Sequence, residues 1–301
     1  MPELPEVENV RRTLIPAVVG ARIERVELRR GDLRFPFPDR FAERLEGRCI
    51  REIGRRAKYL LWRLEGGEVL IVHLGMSGRV ILSSSSDAQS SLDQRGAVVG
   101  RYVYEAGDLP QHDHVVMRLS NGATVTYNDP RRFGFMLLTD DDGLDRHPLF
   151  RHLGVEPTGT DLDAAELARR AHGRRTDLKA FLSDQRQVAG LGNIYVAEAL
   201  FRAGLSPMRK AGTLARRDGG PTERAERLVA AIRAIIHEAI EAGGSTLRDF
   251  VRADGSRGDF QSAHAVYDRA GATCVRPGCG GVVRRRVQSN RSTFYCPKCQ
   301  R

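Results

Sequence analysis

Apolar residues recur at helical spacing almost from the first position: Val7, Val10 and Leu14 follow Pro5, whose fixed φ suits a first helical turn, while Glu6 and Glu8 complement that helix's positive end. Gly20 closes the pattern. From Ala21 to about Leu138 the period shortens to that of strands, with β-rich runs at Glu68 to His73, Val115 to Leu119 and Ala123 to Tyr127, and Asn121-Gly122 as a hairpin turn. The stretch from Ser83 to about Gln111, rich in Ser, Gly and Asp, interrupts the strands and reads as a long loop. After His147-Pro148 the pattern turns helical. Thr222 stands as the cap of an amphipathic helix whose Leu228, Ile232, Ile235, Ile236, Ala239 and Ile240 form one stripe, ended by Gly243-Gly244. These shifts place a domain boundary near residues 150 to 160, a helical domain to about residue 262, and a short module from about residue 270.

The length of 301 residues accommodates about two domains and a small appended module. A hydrophobic share of 41% and a charged share of 29% are those of a soluble globular chain, and no apolar run approaches the roughly 18 residues that span a bilayer. Glu3, Glu6 and Glu8 occupy the place of a basic signal-peptide segment, so a cytoplasmic location with no membrane partner is expected. The excess of 48 Lys+Arg over 38 Asp+Glu, a formal +10, favours a polyanionic partner, although a solvated basic surface accounts for it equally until motifs are considered. Cys274, Cys279, Cys296 and Cys299 crowd into the last 28 residues while Cys49 stands alone. In a reducing compartment two close pairs read as one tetrahedral zinc site rather than as disulfides.

Six segments then converge: Met-Pro-Glu-Leu-Pro-Glu-Val-Glu at the start, Arg-Arg-Ala-Lys-Tyr-Leu at 55–60, His-Leu-Gly-Met-Ser-Gly at 73–78, Asp-Pro-Arg-Arg-Phe-Gly at 129–134, Gly-Leu-Gly-Asn-Ile-Tyr at 190–195, and the cysteine hairpin. Together they resemble the formamidopyrimidine-DNA glycosylase family over nearly the whole chain. The resemblance implies an α+β fold: an N-terminal β-sandwich-like domain with an N-terminal helix (1–150), a helical domain with a DNA-binding helix-two-turn-helix (151–262), and a C-terminal β-hairpin zinc finger (263–301) with one structural Zn²⁺. It also implies a bifunctional glycosylase and lyase that removes oxidised purines from damaged double-stranded DNA, as a monomer with no nucleotide cofactor.

The chemistry of the first residues agrees with that implication. Removal of Met1 leaves Pro2 as a secondary amine, and an α-amino group titrates near 8, far below a lysine's roughly 10.4, so a useful neutral fraction exists at pH 7. Such an amine can attack a sugar C1′ and form an iminium. Glu3 beside it can pass protons to and from the opening ring. Glu6 either orients Glu3 or the ribose, or simply interacts with the helix dipole, and it stays outside the catalytic set. By the resemblance Lys58 assists β-elimination, though its place near Arg55 and Arg56 also fits phosphate binding.

A flipped base leaves a gap in the duplex that wedge side chains must fill. Met76, Arg131 and Phe133 match the family's gap-filling residues; taken alone, Met76 and Phe133 read as core. The resemblance assigns DNA contacts to His112, Arg131 and Arg174, and phosphate contacts to Lys58, Asn193 and Arg291, with Arg291 linked to δ-elimination. His112 also reads as an ordinary strand histidine, and Lys179 as either a lesion neighbour or a solvated helix lysine. Asn193 opens a helix after two glycines, where backbone N–H groups suit an anion.

Two departures stand out. Four residues rather than two separate Cys274 from Cys279, and Asp259 occupies a place where the family's 252–261 loop commonly has an aromatic residue. A purely structural zinc ribbon explains the cysteines but not Arg291. Leu4 favours the purine-specific branch over the endonuclease VIII branch for oxidised pyrimidines. Pro2, Glu3 and Lys58 together argue against a non-catalytic binder of damaged DNA.

Overall fold

A computed structural model of the chain describes residues 2–84, 110–245 and 258–301. By contact the chain divides into two units, Met1–Arg151 with Gly243–Asp259, and His152–Ala242 with Phe260–Arg301. The architecture is α+β: a β-sandwich headed by a helix in the first unit, helices and a cysteine-bearing β-hairpin in the second.

In the first unit, helix α1 (Leu4–Val18) precedes two antiparallel sheets, and a short helix α2 (Phe41–Leu45) lies in the chain between their first two strands. One contains β1 (Ile23–Leu28), β5 (Arg79–Ser84), β6 (Asp113–Leu119) and β7 (Ala123–Asn128) in the order β1-β6-β7-β5; the other runs β2 (Ile50–Arg56), β3 (Tyr59–Leu64), β4 (Glu68–His73) and β8 (Phe135–Asp140). Period two decides which faces meet. Leu60, Trp62 and Leu64 of β3 and Leu70 and Val72 of β4 enter one apolar cluster with Met117 and Leu119 of β6 and Val125 and Tyr127 of β7. Val7, Val10, Leu14 and Val18 of α1 join it, each side chain stabilising the fold by about 1.5–3 kcal/mol on full burial. Val69 and Ile71 are buried on the other face of β4, which is why that strand reads as an unbroken apolar run.

Gly122 takes φ +83° in the turn between β6 and β7, as Asn121-Gly122 predicts. Strand β5 runs to Ser84 and Pro110–His112 forms a 3₁₀ turn before β6, so both described ends of the predicted Ser83 to Gln111 loop are ordered elements. The rest of that loop, and residues 252–257 of the 252–261 loop, lie outside the described residues.

Pairing of β4 with β8 in one sheet and of β5 with β7 in the other has a local consequence. His73 lies opposite Phe135 and Arg79 opposite Asn128, so the crossings 74–78 and 129–134 pass from sheet to sheet side by side.

The second unit holds α3 (Ala164–Ala171), α4 (Leu178–Ser183), α5 (Asn193–Ala203), α6 (Glu223–Glu241) and the hairpin β9 (Arg284–Gln288) and β10 (Arg291–Tyr295). Asp163 and Asp177 cap α3 and α4 by accepting N–H bonds at 2.7 Å. The expected stripe of α6 is buried, and both Gly243 and Gly244 take φ +81° after its end. Thr222 does occupy the N-cap position, but its hydroxyl does not cap: it donates to Leu214 O at 2.9 Å. A bidentate Arg202–Glu238 pair, at 2.6 and 2.7 Å, ties α5 to α6. The hairpin packs Phe294 and Val283 against Ala197 and Phe201 of α5.

At the paired crossings a Cβ on Gly134 would lie 1.8 Å from Tyr127 Oη and 2.5 Å from His73 O, whereas one on Gly31 would meet nothing within 4 Å. Gly134→Ala should therefore destabilise the first unit by about 3 kcal/mol and Gly31→Ala should be near neutral. Equilibrium denaturation of both variants tests this; equal losses would show that the crossing has room to give.

Candidate active site and nucleic-acid interface

The head of α1 is enclosed, with Pro2 through Val10 all buried. A capping box closes it: Glu6 Oε2 accepts the Glu3 backbone N–H at 2.8 Å, and the Glu3 side chain reaches the third helical N–H in return. The other oxygen of Glu6 accepts the Ser245 N–H at 2.8 Å, so one carboxylate holds both the chain start and the segment that follows α6. One turn on, Glu8 receives Arg11 at 2.8 Å and Arg55 of β2 at 3.1 Å. Burial opposes the charge of Glu8, yet the hydrogen bonds and fields of Arg11 and Arg55 outweigh it and hold its carboxyl below the ordinary value.

Arg55 also donates to Ala57 O at 2.9 Å, fixing the β2–β3 turn in which Ala57 takes φ +51° and Lys58 is buried. The relay Glu8–Arg55–Ala57 thus connects the helix that carries Pro2 and Glu3 to the turn that carries Lys58.

Tyr59, next to Lys58, pairs with His73 across β3 and β4, and their rings lie 4.9 Å apart. His73 Nδ1 accepts the Gly75 N–H at 3.1 Å, which leaves the proton of the neutral ring on Nε2. Burial first, then the positive fields of Lys58 and Arg34, lower its pKa to about 4. His73 borders an open cleft of about 630 Å³ shared with Leu33, Arg34, Met76, Arg131 and Phe133.

Two apolar side chains at that cleft are exposed, Met76 by 41% and Phe133 by 44%, so neither is the core residue that its type alone suggests. The Arg131 guanidinium lies 4.8 Å over the Phe133 ring. His112 is half-buried, and its carbonyl accepts the Asp129 N–H at 3.0 Å, placing it beside the same crossing.

In the second unit, the structure corrects the reading of Lys179 as a solvated helix lysine. Lys179 is buried, and its ammonium donates to Thr293 Oγ1 at 2.6 Å and Ser292 O at 3.2 Å on β10. Burial, then repulsion from Arg291, pull its pKa down to about 8, while Asp177 works in the opposite direction. Asn193, at the first position of α5, donates to the same Ser292 carbonyl at 3.0 Å, and its buried Oδ1 has no hydrogen-bond partner among the described residues. Arg291 itself is exposed at the start of β10. Arg174, exposed just after α3, bends back to Arg170 O at 3.4 Å.

The ligand atoms of Cys274, Cys279, Cys296 and Cys299 lie within 4.8 Å of one another. Cys274–Cys299 and Cys279–Cys296 are separated by 3.8 and 3.7 Å between sulfurs, far beyond a disulfide bond. Four metal–thiolate bonds of roughly 2.3 Å in a tetrahedron set edges of roughly 3.8 Å, so the cluster fits a metal ion. Gly281 leaves room for it, since a Cβ there would come 2.7 Å from Cys296 Sγ and 3.2 Å from Cys279 Sγ.

Residues 1–136 match the formamidopyrimidine-DNA glycosylase N-terminal domain, and residues 153–251 match the H2TH domain of the same enzymes. The chain belongs to the formamidopyrimidine-DNA glycosylase family. The formamidopyrimidine-DNA glycosylase of Chelativorans sp. (strain BNC1) is 57% identical over 305 residues, covering all of both chains, and that of Beijerinckia indica is 56% identical, again over all of both. Among solved structures, MutM (Fpg) of Thermus thermophilus superposes with a TM-score of 0.80 at 39% identity, covering 99% of this chain and 98% of that one. Lactococcus lactis Fpg (MutM), in complex with DNA containing N7-benzyl-Fapy-dG, gives 0.81 at 32% identity over all of both chains. The protein is a DNA glycosylase of DNA repair.

Within this glycosylase the first unit carries Pro2, Glu3, Lys58, Met76, His112, Arg131 and Phe133, and the second carries Arg174, Asn193, Arg291 and the four cysteines. Sequence reading passes over His73, Asp129 and Glu198. Glu198, buried on α5, accepts the N–H groups of Ala265, Val266 and Tyr267 at 2.7–3.0 Å and so anchors the approach to the hairpin. The motif containing His73 is plain in the sequence, but nothing local says that a histidine at a strand end will be held neutral between two cations.

That neutrality predicts a pH dependence. Unfolded His73 binds its proton near 6.5 and folded His73 near 4, so the unfolded state binds more protons between these values and stability falls as pH drops through that window. His73→Gln should remove on the order of 3 kcal/mol of this acid-induced loss, with the two proteins running parallel above pH 7. Urea midpoints from pH 4 to 8 check it, and unchanged acid sensitivity in the variant would place the titrating group elsewhere.

Proposed function

We propose that this glycosylase excises oxidised purines, 8-oxoguanine and formamidopyrimidines, from duplex DNA with the Pro2 amine as nucleophile and then nicks the strand. The observation that carries this reading is the enclosed head of α1, where Pro2 and Glu3 are buried and the Glu8–Arg55–Ala57 relay leads to Lys58. After loss of Met1, the amine lone pair forms an N–C1′ bond while the bond from C1′ to the base breaks, the base leaving with the electron pair and taking up a proton. Glu3 protonates the ring oxygen as the sugar opens to an iminium. Lys58 assists removal of a C2′ proton and departure of the 3′ phosphate. Loss of a further proton and of the 5′ phosphate completes δ-elimination, with Arg291 on the departing phosphate.

DNA binding draws on both units. Met76 and Phe133 are the wedge, and Arg131 donates to the acceptors O2 and N3 of the cytosine left without its partner. His112, Arg174, Asn193 and Arg291 hold the backbone. Solved relatives bound to DNA with an abasic site or a Fapy-dG lesion support damaged duplex as the partner. One Zn²⁺ on the four cysteines sets the hairpin that bears Arg291; the edges of 3.7 and 3.8 Å support a thiolate tetrahedron, and the ion's part is structural.

Borohydride reduction during turnover should trap the protein on an 8-oxoguanine duplex, and Pro2→Gly or retention of Met1 should diminish trapping by at least ten-fold. Undiminished trapping with the terminal amine blocked would move the nucleophile to another group, Lys58 first. Faster processing of thymine glycol than of 8-oxoguanine would place the chain in the pyrimidine branch.

Arg291→Ala should keep one zinc per chain, lower the slope of log K against log salt by about one unit, and shift products from δ- toward β-elimination. Stripping the metal should abolish binding. Metal analysis, salt titration and product gels read these outcomes, and an unchanged slope and product pattern with zinc retained would reduce the hairpin to a structural ribbon.

A further inference from the structure

Side chains that are apolar and exposed cannot hold their own direction by packing, yet Met76 and Phe133 must present fixed tips if they enter a duplex. What fixes them lies beneath. Asp129 is fully buried, and its carboxylate accepts the Ser77 hydroxyl at 2.6 Å through Oδ1 and the Gly134 N–H at 2.9 Å through Oδ2. Its carbonyl takes His114 Nε2 at 2.9 Å and the Arg132 N–H at 3.2 Å. The Ser77 oxygen in turn accepts the Arg131 N–H at 3.2 Å.

Each wedge residue is therefore one bond or one hydrogen bond from the same knot. Met76 precedes Ser77, Arg131 donates to Ser77, and Phe133 precedes Gly134. The knot joins the two crossings that pass side by side between the sheets, at the point where a Cβ on Gly75 would lie 2.3 Å from Gly134 N. A buried carboxylate is a costly way to close a loop when a neutral acceptor would serve, and what it supplies is short, charge-assisted bonds with little angular freedom.

We infer that Ser77 and Asp129 are a positioning pair that sets the spacing of Met76, Arg131 and Phe133, so that choice of the base opposite the lesion depends on the buried Ser77 hydroxyl. The inference rests on the wedge reading proposed above. Cytosine offers a guanidinium the adjacent acceptors O2 and N3, whereas adenine offers one ring acceptor beside an amino donor. Discrimination between them requires that Arg131 be held in place, which is the readout that a merely structural knot would not move.

The test compares single-turnover excision of 8-oxoguanine opposite cytosine and opposite adenine by the full-length parent, Ser77→Ala, Ser77→Thr and Arg131→Ala, with thermal midpoints measured alongside. Arg131→Ala should bring the cytosine-to-adenine rate ratio close to one. Ser77→Ala should reduce the ratio at least five-fold, and Ser77→Thr, which keeps the hydroxyl, should restore it to within two-fold of the parent. If Ser77→Ala folds poorly, Ser77→Cys keeps the volume with only a weak donor and carries the same comparison. A ratio that collapses in Arg131→Ala but survives in Ser77→Ala overturns the inference alone. A parent ratio near one, or a ratio that Arg131→Ala leaves unmoved, removes the wedge reading and the inference with it.

Discussion

A nucleophile at a chain terminus, as proposed for Pro2, has backbone on one side only, so its position must be set entirely by the residues C-terminal to it. In this protein the burden falls on the first two turns of α1. Glu6 closes the capping box onto Glu3 and grips Ser245, while Glu8, held ionised by Arg11 and Arg55, fastens the helix to the β2–β3 turn. The apolar side of the same helix, Val7, Val10 and Leu14, lies in the sandwich core. Polar bonds thus fix the helix in register while the core fixes its depth, and neither alone would hold the terminus. The sandwich serves as a rigid seat for a short segment whose own helix propensity would be marginal in water.

Sequence patterns expose much of this architecture because they report local geometry. The bounds of β4, the Asn121-Gly122 turn and the apolar stripe of α6 follow from periods of two and 3.6 and from one residue able to take positive φ. The features that stay hidden depend on partners far along the chain. Ser77 meets Asp129 52 residues later, Lys179 meets Thr293 114 residues later, and Glu198 meets Ala265 67 residues later. Thr222 shows the same limit at short range: the residue type and position of a cap are present, but a nearer carbonyl takes the hydroxyl. The roles given to Lys58 and Arg291 come from the family resemblance, and that of Pro2 also from the chemistry of a terminal amine. Geometry adds their surroundings.

The C-terminal hairpin illustrates how a module too small for its own core is stabilised. Two short strands with an exposed arginine-rich edge bury little, and the apolar cluster beneath them is completed by Ala197 and Phe201 of α5 and by the cysteines themselves. On the other side, Lys179 and Asn193 both donate to Ser292 O, with Lys179 also reaching Thr293, so the strand that starts with Arg291 is anchored through its backbone rather than through the arginine. Arg291 is thereby left exposed and able to take an outside partner.

The crossing of the 74–78 and 129–134 segments bears on how such an enzyme can diverge. Gly75, at φ +60°, and Gly134 meet so closely that neither tolerates a side chain, and the Tyr127 hydroxyl and His73 carbonyl fill the space behind Gly134. The tips carried by the same two segments, Met76, Arg131 and Phe133, point into open solvent and are not constrained by neighbours in this way. Inheritance is therefore strict in the backbone and permissive at the surface: drift can exchange the tips one at a time, altering what the crossing touches, without passing through an unfolded ancestor.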